Sequence, residues 1–166
     1  MKSQIQSQIF VYILGAIIMS LVLLFGYRSI RGMIGRGEQT SLLKFKSELK
    51  STIATVSQDY GSIKLAEFEI PSGYRAVCFV NLTYDRNHLL DKIDGNHYPY
   101  IRDVVMDILD NSNAHKQNVF LMPPGTESDY VGNISVNTGF HCFNASQKKI
   151  KIKIEGFGNR AILSEP

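Results

Sequence analysis

Charged side chains are absent from the first part of the chain, because residues 3–27 contain no Asp, Glu, Lys or Arg. Low-complexity tracts and internal repeats are also absent, and apolar residues recur throughout, which argues against intrinsic disorder. The net charge of +3 comes from residues 28–57, with six basic and two acidic side chains, whereas residues 58–166 carry 11 basic and 13 acidic ones. The 166 residues therefore form no basic nucleic-acid-binding protein, and they suffice for one domain with a modest core.

The uncharged segment contains an apolar run of 19 positions at residues 9–27. About 20 such residues are needed for a helix to cross a hydrocarbon layer about 30 Å thick. A cleaved secretory signal is the alternative, but its apolar part is shorter, about 7–15 residues, and ends at a small-residue cleavage site. This run instead ends in Gly26 and Tyr27 and is followed by Arg28. The segment is therefore predicted to be a retained, single-pass transmembrane helix in the lipid bilayer.

Two observations disagree about which side of the membrane holds residues 58–166, here called the head. Three arginines within residues 28–36, against Lys2 before the helix, favour a cytoplasmic head by the positive-inside rule. Two cysteines in apolar, strand-like segments, Cys78 and Cys142, favour an oxidising exterior. So do three N-x-[ST] sequons, which are candidate N-glycosylation sites, at Asn81, Asn133 and Asn144. We expect an extracytoplasmic head.

The same cysteines predict a disulfide between Cys78 and Cys142. Such a bond closes a loop of about 64 residues and is worth about 4 kcal/mol when the stabilisation is treated as lost entropy of the unfolded chain.

A joint is predicted after the membrane segment, because Gly32, Gly35 and Gly37 each cost about 1 kcal/mol relative to Ala inside a helix. An amphipathic helix is then expected over residues 40–57. Its apolar stripe consists of Leu42, Phe45, Leu49, Ile53 and Val56. This stripe has two interpretations: packing on the protein's own sheet, or packing on equivalent helices of other copies.

The head is predicted to be antiparallel β structure with one helix, which begins at Pro99 and ends near Asn111. Residues 149–154 alternate Lys and Ile, as in a strand with one buried face. A hairpin is expected across residues 137–139. The other expected strands are 64–70, 75–81, 119–122, 131–136, 140–143 and 161–164. The fold class is thus α+β, with domains 1–27 (leader and transmembrane helix), 28–57 (basic joint and amphipathic helix) and 58–166 (head).

Catalytic chemistry is not visible in the sequence. The four histidines lack metal-ligand spacing, and His141 points to the strand face opposite Cys142, which argues against a Cys–His pair. Residues 91–96 lack the EF-hand pattern and are typical of an Asx turn. Three carboxylates at helical spacing, Asp103, Asp107 and Asp110, are typical of a solvated face. We therefore expect no enzyme, no metal site and no cofactor.

The first residues, from Lys2 to Tyr12, resemble the class III signal peptide of archaeal type IV pilin-like proteins. Carried over, the resemblance implies that Lys2 is the basic leader residue, Ser3 the residue before the cut and Gln4 the new N-terminus. Gln8 stands where the family usually has Glu. The family's helix remains as membrane anchor and later as filament core. The chain is also similar to single-pass proteins encoded in archaeal genomes, and that similarity implies no activity.

Together these observations predict a non-enzymatic, membrane-anchored surface protein, a pilin-like subunit that forms a homo-oligomer or filament through its N-terminal helix. The alternative is a monomeric signal-anchored binding or accessory domain of a cell-envelope complex, in which the helix only tethers the head.

Overall fold

The protein is described here by a computed structural model. It covers the backbone of residues 3–111, 113–123 and 127–166, together with their side chains except those of residues 3–8 and 30–37. Two compact units are distinguished, Met1–Thr40 and Ser41–Pro166, and each is described by itself. The architecture is α+β, as the sequence predicts.

The first helix, α1, is assigned from Ser3 to Gln58 without interruption. Helical backbone is assigned through Gly32, Gly35 and Gly37, and the joint expected in this region stays a prediction. Two further helices follow, α2 (Arg86–Lys92) and α3 (Pro99–Asp110). Pro99 stands in the first turn of α3, where its missing N–H costs no hydrogen bond.

Across the described ranges, eight strands form two sheets. The strands are β1 (Ile63–Glu69), β2 (Ala76–Val80), β3 (Val119–Met122), β4 (Ser128–Asp129), β5 (Ile134–Val136), β6 (Phe140–Asn144), β7 (Lys149–Gly156) and β8 (Ala161–Ser164). Sheet A has the order β1-β7-β8-β5, and sheet B has the order β4-β3-β2-β6. The pairs are antiparallel except β5 with β8, which is parallel.

A first hydrophobic cluster, core 1, joins the end of α1 to one face of each sheet. Ile150, Ile152 and Ile154 supply its centre from β7, as the Lys–Ile alternation predicts. The α1 stripe completes it, with Phe45, Leu49, Ile53 and Val56 buried and Leu42 packed at the margin. The interpretation that this stripe packs on the protein's own sheet is confirmed, and packing of its margin on other copies stays a prediction.

A second cluster, core 2, covers the opposite face of sheet B. Cys78, Val80, Phe120 and Phe140 point from the sheet toward buried residues of α2 and α3. These residues are Leu89 of α2, Ile93 directly after it, and Ile101 and Val105 of α3. Every residue of β2 is therefore buried, because successive side chains enter core 1 and core 2 in turn.

Three features of the head differ from expectation. The segments around residues 137–139 form no hairpin, because β5 joins β8 in sheet A while β6 joins β2 in sheet B. The head has two helices rather than one, since α2 begins after Asp85, whose side chain caps it. The strand expected over residues 131–136 begins only at Ile134.

Gly156 at the end of β7 fixes how closely α1 and sheet A approach. A Cβ at this position would collide with the carbonyl oxygens of Val56 and Asp59. The Gly156 N–H donates to the Ser62 carbonyl, and its own carbonyl accepts from Gly61 N–H, both at 2.9 Å. Only glycine therefore allows β7 to meet the end of α1 at this distance.

Candidate membrane anchor and modification sites

Within the described residues, one stretch of α1 is long and apolar enough to span a membrane. It runs from Ile9 to Ser29, 21 residues with mean hydropathy 2.7, and none of it is buried inside the protein. Apolar side chains are exposed all around it, including Phe10, Leu23 and Phe25. A signal sequence near the N-terminus would meet the same criterion of length and composition.

The structure describes the predicted leader residues only in part. Met1 and Lys2 are outside the described residues, and Ser3 and Gln4 are described only as backbone at the beginning of α1. Cleavage between Ser3 and Gln4 therefore stays a prediction.

The two cysteines form a disulfide between neighbouring strands. Cys78 of β2 lies directly opposite Cys142 of β6, with 3.9 Å between their Cα atoms. Both side chains belong to core 2, and Cys78 is completely buried. The bond thus ties together two paired strands that are 64 residues apart in sequence.

The first sequon is part of the interior. Asn81 is only 6% exposed, and its Oδ1 accepts hydrogen bonds from the Thr83 amide and hydroxyl, at 3.0 and 2.7 Å. Its Nδ2, the atom that would carry a glycan, donates to Ser135 Oγ at 3.3 Å. This Nδ2 is therefore engaged inside the folded head, and glycosylation of Asn81 stays a prediction.

The second sequon is divided between surface and interior. Asn133 is exposed, whereas Ile134 is buried and Ser135 lies in β5, paired with β8. The Ser135 hydroxyl is the one that accepts from Asn81. The first two sequons are therefore held together by a hydrogen bond between their own functional groups.

The third sequon has both of its functional side chains at the surface, while Ala145 between them packs against core 1. Asn144 and Ser146 are exposed, and their side chains make no hydrogen bond to any residue in the described ranges. Asn144 ends β6, an edge strand of sheet B. A two-residue turn follows directly, with Gln147 and Lys148 both at positive φ.

Two histidine–aspartate pairs flank α2 on the surface. His88 Nδ1 lies 2.7 Å from Asp85 Oδ1, and the hydrogen bond from this imidazole is the main cause that lowers the pKa of Asp85. His97 Nδ1 lies 2.6 Å from Asp94 Oδ2. The Asn96 amide, which donates to Asp94 Oδ1, is the main cause that lowers the pKa of Asp94. This last bond forms the Asx turn expected for residues 91–96.

These surface groups are separate pairs rather than one cluster. No cluster of three or more His, Cys, Asp or Glu side chains occurs there that could hold a metal ion. Cys142 is bonded to Cys78 and has no free thiol. The imidazole ring of His141 packs edge-on against the Phe143 ring, with 4.7 Å between the ring centroids. The carboxylates of α3 are exposed, as expected for a solvated face: Asp103, Asp107 and Asp110.

A polar groove of about 580 Å³ lies beside the third sequon. Asn144, Ser146 and Gln147 form one part of its lining, and Glu67 and Lys151 form another. Lys149 Nζ lies 2.6 Å from Glu67 Oε1, and this contact lowers the pKa of Glu67 and raises that of Lys149. No local sequence pattern marks this groove, because its parts come from β1, β6, β7 and the turn between β6 and β7.

Other missed residues left weak signals. Asp85, an N-cap residue type shortly before the apolar pair Leu89 and Leu90, is a helix-start pattern that could have identified α2.

In comparisons with protein-family models, curated proteins and solved structures, no match to this chain is found.

Proposed function

We propose that this protein is a single-pass, membrane-anchored, non-enzymatic surface protein whose head is extracytoplasmic, and that it is a pilin-like subunit assembling through its N-terminal helix. The observation that carries the proposal is a difference in burial between two parts of α1. The apolar side chains of Ile9–Ser29 are not buried, whereas the apolar stripe at residues 42–56 packs in core 1. An unburied apolar helix needs lipid or other helices around it.

The disulfide supports the extracytoplasmic placement. Disulfides persist in oxidising compartments and are rare in the cytosol, and Cys78–Cys142 joins central and edge strands of sheet B. The exposed third sequon is compatible with the same side of the membrane.

The tethered accessory domain is the second candidate. It is favoured by the burial of most of the α1 stripe within the head, because that part of the helix is then not available for assembly. In this alternative the Ile9–Ser29 segment contacts lipid alone, and a partner binds the head.

The first experiment measures the N-terminus of the protein purified from its native membrane, by intact mass and N-terminal sequencing. A start at Gln4 is expected for a processed pilin-like subunit. A start at Met1, or at Lys2, would contradict the processing step and favour the tethered accessory domain.

The second experiment tests assembly in the membrane by cysteine cross-linking. Single cysteines are placed along residues 9–29 of the full-length chain, and oxidative dimers are measured by non-reducing electrophoresis. A helical periodicity of dimer yield is expected for assembly through one face. Leu43, which is exposed and lies outside the membrane segment, provides the control position. Uniformly low yield at every membrane position would contradict assembly through this helix.

A further inference from the structure

We infer that Asn144 is the N-glycosylation site of the folded head, and that the sequons at Asn81 and Asn133 are used by the fold instead. The inference rests on the proposed extracytoplasmic head, because N-glycans are added on that side of the membrane. The three sequons are equivalent as sequence motifs, but their side chains make different contacts in the folded head.

The reaction sets three conditions on an acceptor. The Asn Nδ2 attacks the anomeric carbon of a lipid-pyrophosphate-linked oligosaccharide, forming the N–C1 bond and losing a proton to a base. The C1–O bond breaks, and the lipid pyrophosphate leaves with the electron pair. Nδ2 must therefore be accessible, the hydroxyl two residues later must be free for recognition by the oligosaccharyltransferase, and the attached sugar must have space.

Asn81 and Asn133 fail these conditions in the folded head. At Asn81 the side chain is buried, and Nδ2 and Oδ1 are both engaged. At Asn133 the carboxamide is exposed, but Ser135 is held in β5 and accepts from Asn81. Breaking the Asn81–Ser135 contact would leave the buried Asn81 Nδ2 without a hydrogen-bond partner, and the cost of that keeps both functional groups engaged.

Asn144 meets all three conditions. Its carboxamide and the Ser146 hydroxyl are exposed and make no hydrogen bond within the described residues. The sequon ends where the turn at Gln147 begins, so the chain there can approach an enzyme. The adjacent groove of about 580 Å³ gives the first sugar room.

The lining of the groove suits a saccharide. Glu67, Gln147 and Lys151 offer hydrogen-bond acceptors and donors along it, which match the hydroxyl groups of a sugar. Its volume also lies in the range of about 300–1,000 Å³ that small-molecule sites occupy. The glycan would cover the end of the edge strand β6, where the outward backbone groups of a sheet are open to pairing with another chain.

The experiment expresses the full-length chain in cells that N-glycosylate membrane proteins and measures occupancy of each Asn by glycopeptide mass spectrometry. We expect a glycan at Asn144 that disappears in Asn144→Gln and in Ser146→Ala, which keeps the asparagine but removes the recognised hydroxyl. Asn133→Gln is the matched control and should leave the mass of the glycan unchanged. Equal or greater occupancy at Asn81 or Asn133 would overturn the inference.

A second variant separates failure of this inference from failure of the proposed function. His115→Thr completes a new sequon at Asn113, and both positions are exposed. A glycan at Asn113 in this variant, with Asn144 still bare, overturns the choice of Asn144 while the extracytoplasmic head stands. No glycan at either position overturns both, because the head would then not reach the glycosylating compartment.

Discussion

Sheet A and sheet B have the same number of strands but differ in how many of their faces are open to solvent. Sheet A buries one face in core 1 and leaves the other to water, with Leu65 63% exposed on β1. Sheet B is covered on both faces, by core 1 and by core 2 under α2 and α3. Substitutions in sheet B are therefore expected to lower stability on either face, whereas sheet A has one face on which they should cost little.

The largest effect is expected for Phe79→Ala in sheet B. Phe79 is completely buried and packs edge-to-face on Phe143 with ring centroids 5.6 Å apart. Its truncation should lower the free energy of unfolding by about 3–5 kcal/mol, since the cavity adds to the lost burial. Urea unfolding of the full-length chain in detergent micelles measures this. Leu65→Ala on the open face of sheet A is the control, expected within about 0.5 kcal/mol of the parent.

Removal of the disulfide should come next, at about 2–5 kcal/mol. Cys78→Ala with Cys142→Ala avoids placing an unpartnered hydroxyl in core 2, where Cys78 is completely buried. The same urea measurement with and without a reductant provides the check. Reductant should lower the midpoint of the parent and leave the double variant unchanged; a parent that does not respond would mean that the bond does not stabilise sheet B.

Gly156→Ala tests whether sheet A has a costly position of its own. Its methyl group would meet the Val56 and Asp59 carbonyl oxygens, so β7 or the end of α1 must shift. We expect a loss of about 1–3 kcal/mol, as for overpacked cores. Ser164→Ala, exposed at the end of β8, serves as the control for a harmless change in the same sheet. Equal stability of the two variants would show that the approach of α1 is not tight.

The smallest effect is expected for Glu67→Gln on the open face of sheet A. The hydrogen bond from Lys149 lowers the pKa of Glu67 in the folded protein. The contribution of ionised Glu67 to stability is therefore present at pH values above the pKa of Glu67 in the unfolded chain. That contribution is lost as pH falls through the folded-state pKa. In the parent, acidification should therefore remove slightly more stability than in the variant, because exposed ion pairs are weak. Parallel acid titrations of the urea midpoint compare them, and a larger acid loss in the variant would contradict this assignment.

The sequence predicted those parts of the fold in which a local pattern decides the outcome. Alternation of Lys and Ile determined the buried face of β7, and the stripe from Leu42 to Val56 determined the buried face of α1. Pro99 marked the beginning of α3. In each case neighbouring residues carry the whole signal.

Pairing between distant segments could not be predicted in this way. The turn at residues 137–139 favoured a local hairpin, but β5 instead pairs in parallel with β8, a strand distant from it in sequence. The burial of Asn81 depends on Ser135, 54 residues away, and a sequon motif contains no information about burial. The short helix α2 has Leu89 as its one buried residue, too little for a periodic pattern.

The alternation of β2 has a consequence for how the head melts. Phe79 enters core 1 and Val80, its neighbour, enters core 2, so the two clusters share a strand as a common wall. Neither cluster can lose its packing while the other keeps β2 in place. The head should therefore unfold in a single cooperative transition, with helix and sheet signals disappearing together.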